Sequence, residues 1–374
     1  MVSINSNQQG GAAVPGGRKA DNRSVMTAKE VLSVPSFGGV SGPCEDIPDG
    51  FSRLAAARSE VIPGSLFFAE RPLSPEMVEE LLARGAVAFV AAEGVVGAAG
   101  QALPTMIHSK PMEGLVELLR RKRSAHPARV VNITGSVGKT TTKLMLECVA
   151  ASKWQTFGSP ENRNLYPHVR RHLQHLDPSC EVFIQETGAY RPGAVADGVR
   201  ILRPDAFVIT GIGFNHVGDY GDDWDALLRD KLSCDLYAAP DAVGFVNLDD
   251  AIMAETEFTH PIRWYSVDNP DADFYATSVT EREGKLAFEV VEKLSGEMTP
   301  VALHTHGVHN VSNALAAFAV GRWLGLEGDT IARALTEYRA VGTRQNLTRL
   351  GSNLVLVDSY NASEVSIAST SDSL

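Results

Sequence analysis

The sequence predicts an α/β protein with a small N-terminal α/β domain, a larger central domain on a mostly parallel sheet, and the start of a third domain. Three observations carry this expectation. From Arg129 onward short apolar runs alternate with helical stretches, the first run leads straight into a glycine-rich turn and a helix start, and 374 residues with 44% apolar side chains supply two or three cores.

In chain order, Met1 to Asn22 is rich in Gly, Ser, Asn and Gln and has no apolar core of signal-peptide length, so a disordered tail is expected over residues 1–24. Residues 25–127 read as one small α/β domain: Ser65 to Ala69 and Ala86 to Ala91 as strands, Pro75 to Arg84 as a helix. Leu115 to His126 is helical, increasingly basic and stopped by Pro127, and it leads into a central domain over 128–340. There the apolar runs Val130 to Ile133, Val182 to Gln185, Ala206 to Thr210 and Gly244 to Asn247 read as buried parallel strands. Ala272 to Phe288 alternates like antiparallel strands and predicts an antiparallel edge, while Asn310 to Leu324 has the periodicity of a buried helix. A third domain opens over 341–374 with a strand at Leu354 to Val357 and a helix from Ser363, and a stub of that size cannot bury its own core, so a truncated sequence is expected.

Composition narrows the partners. With 45 acidic against 34 basic side chains the formal net charge is -11, which argues against nucleic acid or an anionic membrane as a general partner. Gly85 to Gly100, the most apolar stretch, is too short to span a bilayer and carries Glu93. Cys44, Cys148, Cys180 and Cys234 lie far apart without a C-x-x-C pair, which fits a reducing cytoplasm. A monomer acting on small molecules is expected.

The chemistry concentrates at Thr134-Gly135-Ser136-Val137-Gly138-Lys139-Thr140-Thr141, set between a strand and a helix start. Backbone N–H groups of such a turn face an anion, and glycines let phosphate approach closely. Lys139 adds a point charge for β and γ phosphates, and the Thr140 hydroxyl is a magnesium ligand in the usual arrangement. Ile133 stands where the common phosphate loop has its first glycine, leaving a shorter G-x-x-G-K-T. Val182 to Gln185 runs into Glu186, and Ala206 to Thr210 leads to His216, so an acid and a histidine both follow strand ends, the edge where open α/β sheets bind ligands. Either residue alone is equally a helix cap or a satisfied loop histidine, and Lys231, in the helical stretch Asp223 to Leu236, reads by itself as a solvated lysine.

Together these residues resemble the Mur ligase family. Its phosphate loop reads T-G-[ST]-x-G-K-T-[ST], matched throughout by Thr134 to Thr141; its E-x-G-A motif is similar to Glu186 to Ala189; and its I-G-x-x-H motif resembles Ile212 to His216. The resemblance implies that Lys231 is the lysine carrying a carbamate, turning a cation into a metal ligand beside Thr140, Glu186 and His216. It implies that Asn310 and Asn313, in Gly307 to Ala317, meet adenine, that Arg344 stands at the entrance of a Rossmann-like third domain, and that Asp358 holds the ATP ribose. Asp358-Ser359-Tyr360-Asn361-Ala362 is similar to the D-S-Y-N-A motif of the subfamily adding D-alanyl-D-alanine to a UDP-muramoyl tripeptide. The implied cofactors are ATP and Mg²⁺, and the implied reaction forms an amide through an acyl phosphate, with Lys139, Glu186, His216 and Lys231 at the chemistry.

Two departures stand out. Ala57-Arg58-Ser59 replaces the family's D-S-R, and Glu161-Asn162-Arg163-Asn164 replaces its paired asparagines after the phosphate loop. They leave open a ligase using another amino acid or acceptor, and the short third domain leaves open a non-catalytic ATP-binding module. His168, His172 and His175 on one helix face, and His304 and His306 on a possible strand, have nominal metal spacing but no evident carboxylate or cysteine companion, so packing or surface roles are expected.

Overall fold

The computed structural model describes residues 24–213, 216–282 and 285–340, together with the backbone of 346–350 and 353–357. Arg344, Asp358 and the helix expected from Ser363 lie outside the described residues. The chain divides into two compact units, 1–112 and 113–374.

In the first unit a five-stranded sheet runs in the order Val40–Ser41, Thr105–Ile107, Ala86–Ala91, Ser65–Phe68, Arg53–Ala55, parallel except for the first pair. Local chemistry sets the helix Pro75–Arg84: the Ser74 hydroxyl accepts the Met77 N–H at 3.3 Å, Pro75 occupies a position with no N–H to satisfy, and Gly85 closes the helix at φ 106°. Val78 and Leu81 pack with Phe67, Phe89 and Val61 into this unit's core.

The second unit is built on a nine-stranded sheet in the order Glu297–Leu303, Lys285–Glu292, Phe274–Arg282, Ile262–Ser266, Val243–Asn247, Ala206–Ile209, Arg129–Thr134, Val182–Glu186, Thr156–Gly158. Pairing is parallel from Thr156–Gly158 through Phe274–Arg282 and antiparallel beyond. The antiparallel edge therefore exists, and Phe274–Arg282 joins the parallel set by only two residue pairs. Strand Arg129–Thr134 sits between Val182–Glu186 and Ala206–Ile209: from it the chain runs to the edge strand Thr156–Gly158, returns inward through Val182–Glu186, and then crosses to the other side with Ala206–Ile209. That is the switch point at which open α/β sheets bind ligands.

Alternation along the strands loads both faces. Val131, Ile133, Ala206 and Val208 meet helices Lys139–Ala151 and His309–Trp323, while Phe207 and Ile209 meet Val195 and Val199 of Ala194–Leu202 and Leu227 and Cys234 of Trp224–Leu236. Helix His309–Trp323 is apolar almost all round, as a helix packed on several sides must be, and each fully buried Leu, Val or Phe there contributes about 1.5–3 kcal/mol. Asn346–Leu350 and Asn353–Val357 form a separate antiparallel hairpin. Among the described residues no helix is long and apolar enough to cross a membrane.

Two histidine expectations need correction. Strand Glu297–Leu303 ends before His304, so His304 and His306 lie in the following loop, and His306 does have a carboxylate companion: its Nδ1 is 3.2 Å from Glu281 Oε1. His172 is buried, with Nδ1 2.8 Å from Gln185 Oε1, and burial pushes its pKa down to about 4; a packing role fits it.

Candidate functional site

The glycine turn opens helix Lys139–Ala151 with Gly138 as its N-cap at φ 81°, a residue with no side chain to cap the first-turn N–H groups. Those N–H groups point along the helix axis toward the loop, where the helix dipole favours an anion. Gly135 at φ 143° is required for a second reason: a Cβ there would strike the Thr210 hydroxyl. Thr210 Oγ1 in turn donates to the Val137 carbonyl at 2.5 Å, and Ser136 Oγ bridges to Gly213, accepting its N–H at 2.7 Å and donating to its carbonyl at 2.9 Å. The loop is thus held by the segment that follows strand Ala206–Ile209.

Two lysines converge on this loop. Lys139 Nζ donates to the carbonyls of Gly135 at 2.8 Å and Ser136 at 3.1 Å, and Lys231 Nζ donates to the same Gly135 carbonyl at 3.1 Å. Lys231 is 1% exposed; burial, reinforced by the charge of Lys139 and opposed by Asp230, pushes its pKa down to about 7. The Lys139 charge and the head of the helix together favour an anion at this loop.

Beside it, Glu186 ends its strand 1% exposed. Its Oε2 accepts the Thr140 hydroxyl at 2.8 Å and its Oε1 accepts Asn164 Nδ2 at 2.8 Å. Both donors are neutral, so neither offsets the charge of a buried carboxylate, and a hydroxyl facing a carboxylate is the oxygen donor pair a hard divalent cation takes. These residues fit magnesium. No group of three His, Cys, Asp or Glu capable of holding a metal occurs among the described residues.

His216 is placed differently. It is exposed, at φ 74°, and its Nδ1 lies 3.0 Å from Asp219 Oδ2; no described contact joins it to Thr140, Glu186 or Lys231. Its turn is nonetheless tied to the Lys231 helix, because the Tyr220 hydroxyl donates to Asp230 Oδ2 at 2.5 Å. Asp230 also accepts N–H groups of Val195 and Ala196 at the start of helix Ala194–Leu202. Asn310 and Asn313 are buried and bonded to each other, and Asn313 Oδ1 accepts the Thr142 hydroxyl at 3.1 Å, which brings the second helix against the first turn after the loop. Sequence reasoning passed over Asp230, Tyr220 and Lys143, whose partners lie 10 to 35 residues away in the chain.

Known proteins resemble this chain in sequence and in fold. The profile of the Mur ligase middle domain matches residues 133–321, just over half the chain. UDP-N-acetylmuramoyl-tripeptide–D-alanyl-D-alanine ligase of Bacillus subtilis (strain 168) is 28% identical over 240 residues, covering 64% of this chain and 51% of that protein. The enzyme of the same name from Escherichia coli (strain K12) is 28% identical over 310 residues, 81% of this chain and 67% of that one. The chain thus spans about half to two thirds of these relatives. Among solved structures, MurF from Acinetobacter baumannii superposes with a TM-score of 0.78 at 24% identity, over 93% of this chain and 76% of that one. MurF from Thermotoga maritima in complex with ADP gives 0.71 at 23% identity, over 86% and 74%. At these identities the structures establish the fold. With its middle-domain profile laid over the phosphate loop, the strand-end glutamate and the buried lysine, the chain belongs to the Mur ligase family.

Proposed function

We propose that this chain binds ATP and magnesium and activates a substrate carboxylate as an acyl phosphate, which an incoming amine converts to an amide. The observation that carries this reading is Lys139 folded onto the phosphate loop at the Gly135 carbonyl beside the Thr140–Glu186 pair, with the buried Lys231 amine reaching the same carbonyl as the group to be carboxylated. A carboxylate and a triphosphate repel, so a ligase of this kind must concentrate positive charge where they meet.

The carboxylate oxygen attacks the γ phosphorus and ADP departs; the amine nitrogen then displaces phosphate at the acyl carbon and gives up its proton. Lys139 and the N–H groups of 135–141 orient the β and γ phosphates. Thr140 and Glu186 face each other already; with His216 and a carboxylated Lys231, assigned on the family resemblance, they would hold magnesium, which supplies charge neutralisation when bound. Asn310 and Asn313 would meet adenine, and Arg344 and Asp358 the rest of the nucleotide. As substrates we assign a UDP-muramoyl tripeptide and D-alanyl-D-alanine, because relatives across 64–81% of this chain carry that activity in their names.

A second reading, another acceptor acid, is favoured by one observation: Arg58, in the segment Ala57-Arg58-Ser59, is spent on a surface pair with Glu80 at 2.9 Å. The test runs both acceptors. Chain, Mg-ATP, the amine and an acceptor labelled with ¹⁸O in its carboxylate should release phosphate carrying ¹⁸O. Transfer only from an acid other than the muramoyl peptide selects the second reading. Lys139→Ala should lower this turnover by at least about 100-fold, in line with loss of a preorganised charge, with an unchanged thermal melt. Undiminished turnover in that variant refutes the scheme.

A further inference from the structure

We propose that Lys143 is a positioning residue, whose buried ammonium shapes loop 159–164 so that Asn164 reaches Glu186. Lys143 lies one turn beyond Lys139 on helix Lys139–Ala151 and is 0% exposed. Its Nζ donates to the Ser159 carbonyl and, at 2.7 Å, to the Glu161 carbonyl. An ammonium taken out of water costs several kcal/mol unless its protons are accepted. The two carbonyls accept protons of this buried ammonium, and turning either away would cost one of its hydrogen bonds, so the backbone between them is tied to the helix.

That pinned backbone holds a conformation it would not adopt alone. Glu161 sits at φ 50°, a left-handed geometry that costs a non-glycine residue about 1–2 kcal/mol. Both ends of the loop then engage the tip of strand Val182–Glu186. Ser159 donates its N–H to the Ile184 carbonyl at 2.9 Å, and its hydroxyl accepts the Glu186 N–H at 3.2 Å. Asn164 accepts the Gly188 N–H on its carbonyl at 3.0 Å and donates Nδ2 to Glu186 Oε1 at 2.8 Å. The Glu186 carboxylate is thus aimed from one side by Thr140 and from the other by Asn164, and Lys143 fastens the second support to the helix that supplies the first. Glu147, one turn on, lies against Gly158 so closely that a Cβ there would strike its carboxyl group, and that carboxyl interacts with the same ammonium.

The functional consequence rests on the magnesium and nucleotide reading above; the loop's shape does not, and the experiment separates them. In the ligand-free chain, Lys143→Met should raise amide hydrogen exchange across 159–164 by about tenfold or more, with strands Arg129–Thr134 and Ala206–Ile209 unchanged. In ADP titrations with and without Mg²⁺, the variant should lose about tenfold of the magnesium-dependent gain in affinity while binding ADP alone as before. Asn164→Ala should lose the same gain, and the double variant no more than either single one. Unchanged exchange in Lys143→Met, or losses that multiply in the double variant, overturns the proposal. Should Lys143→Met not fold, Asn164→Ala decides by itself, since a full magnesium gain there leaves the loop nothing to position. A wild-type chain whose ADP affinity ignores Mg²⁺ overturns the nucleotide reading, while the exchange result still settles what Lys143 does to the loop.

Discussion

Replacing Lys231 by methionine tests the electrostatics of the site through stability alone. Burial and the Lys139 charge bring the Lys231 pKa from 10.5 to about 7, so near neutral pH a substantial share of the folded molecules hold a neutral amine, a form almost absent from a free lysine. A neutral amine is the form that takes up CO₂ to make a carbamate. The same shift fixes the sign of the stability effect. The unfolded chain keeps the proton up to pH 10.5 and the folded chain only to about 7, so unfolding is favoured in full below pH 7 and the penalty fades between 7 and 10.5. At pH 6 the penalty is at most about 5 kcal/mol, taking 1.36 kcal/mol per unit. Methionine keeps the chain length and removes the charge, so Lys231→Met should be several kcal/mol more stable than wild type at pH 6, with the gap shrinking by pH 10. Urea unfolding at matched m-values across pH 6–10 reads the difference directly. Bicarbonate near pH 8 should raise the stability of wild type and leave the variant unmoved. A variant less stable at pH 6, or a gap that does not change with pH, refutes the reasoning.

Glu147 carries a second pH signature: burial, opposed by Lys143, pushes its carboxyl up to about 7 from 4.5. A raised acid favours folding below pH 4.5 and loses that contribution as pH rises to about 7, so Glu147→Gln should be the more stable form at pH 8, by up to about 3 kcal/mol, and equal to wild type at pH 4.5. Equal stability of the two at pH 8 in chemical unfolding would contradict this. Gly138→Ala meets two penalties, a φ of 81° and a Cβ that would strike Asn313 Oδ1, so a loss of about 1–3 kcal/mol is expected. Gly325→Ala, at φ 89° with open space around it, is the control and should lose about 1 kcal/mol. Indistinguishable thermal melts for the two variants would show that the contact with Asn313 carries no weight.

The fold was legible wherever one element carried its own signals. Ser74, Pro75 and Gly85 bracket their helix to the residue, and the mainly apolar runs Val130 to Ile133, Val182 to Gln185 and Ala206 to Thr210 announce the buried strands found at Arg129–Thr134, Val182–Glu186 and Ala206–Ile209. Strands Thr156–Gly158 and Thr105–Ile107 gave no such sign, being three residues long. Ile262–Ser266 was hidden by Arg263, whose charge is paired with Asp273, just before the neighbouring strand. The phosphate loop and Glu186 could be read from spacing because strand, turn and strand end are local patterns. Lys143 could not: on its helix it looks like any polar residue, and only carbonyls 16 and 18 residues later reveal it as buried. Lys231 likewise became significant through resemblance and then through its burial, since nothing in its immediate neighbours marks it.

The central claim is that the glycine turn and the tip of strand Val182–Glu186 hold a metal-bound nucleotide. Diffraction from the chain crystallised with ADP and Mn²⁺, collected for the manganese anomalous signal, tests it most directly. An anomalous peak is expected about 2.0–2.3 Å from Thr140 Oγ1 or a Glu186 carboxylate oxygen, with the diphosphate along the N–H groups of 135–141. Nucleotide bound elsewhere, or diphosphate in the loop with manganese far from both side chains, would contradict it.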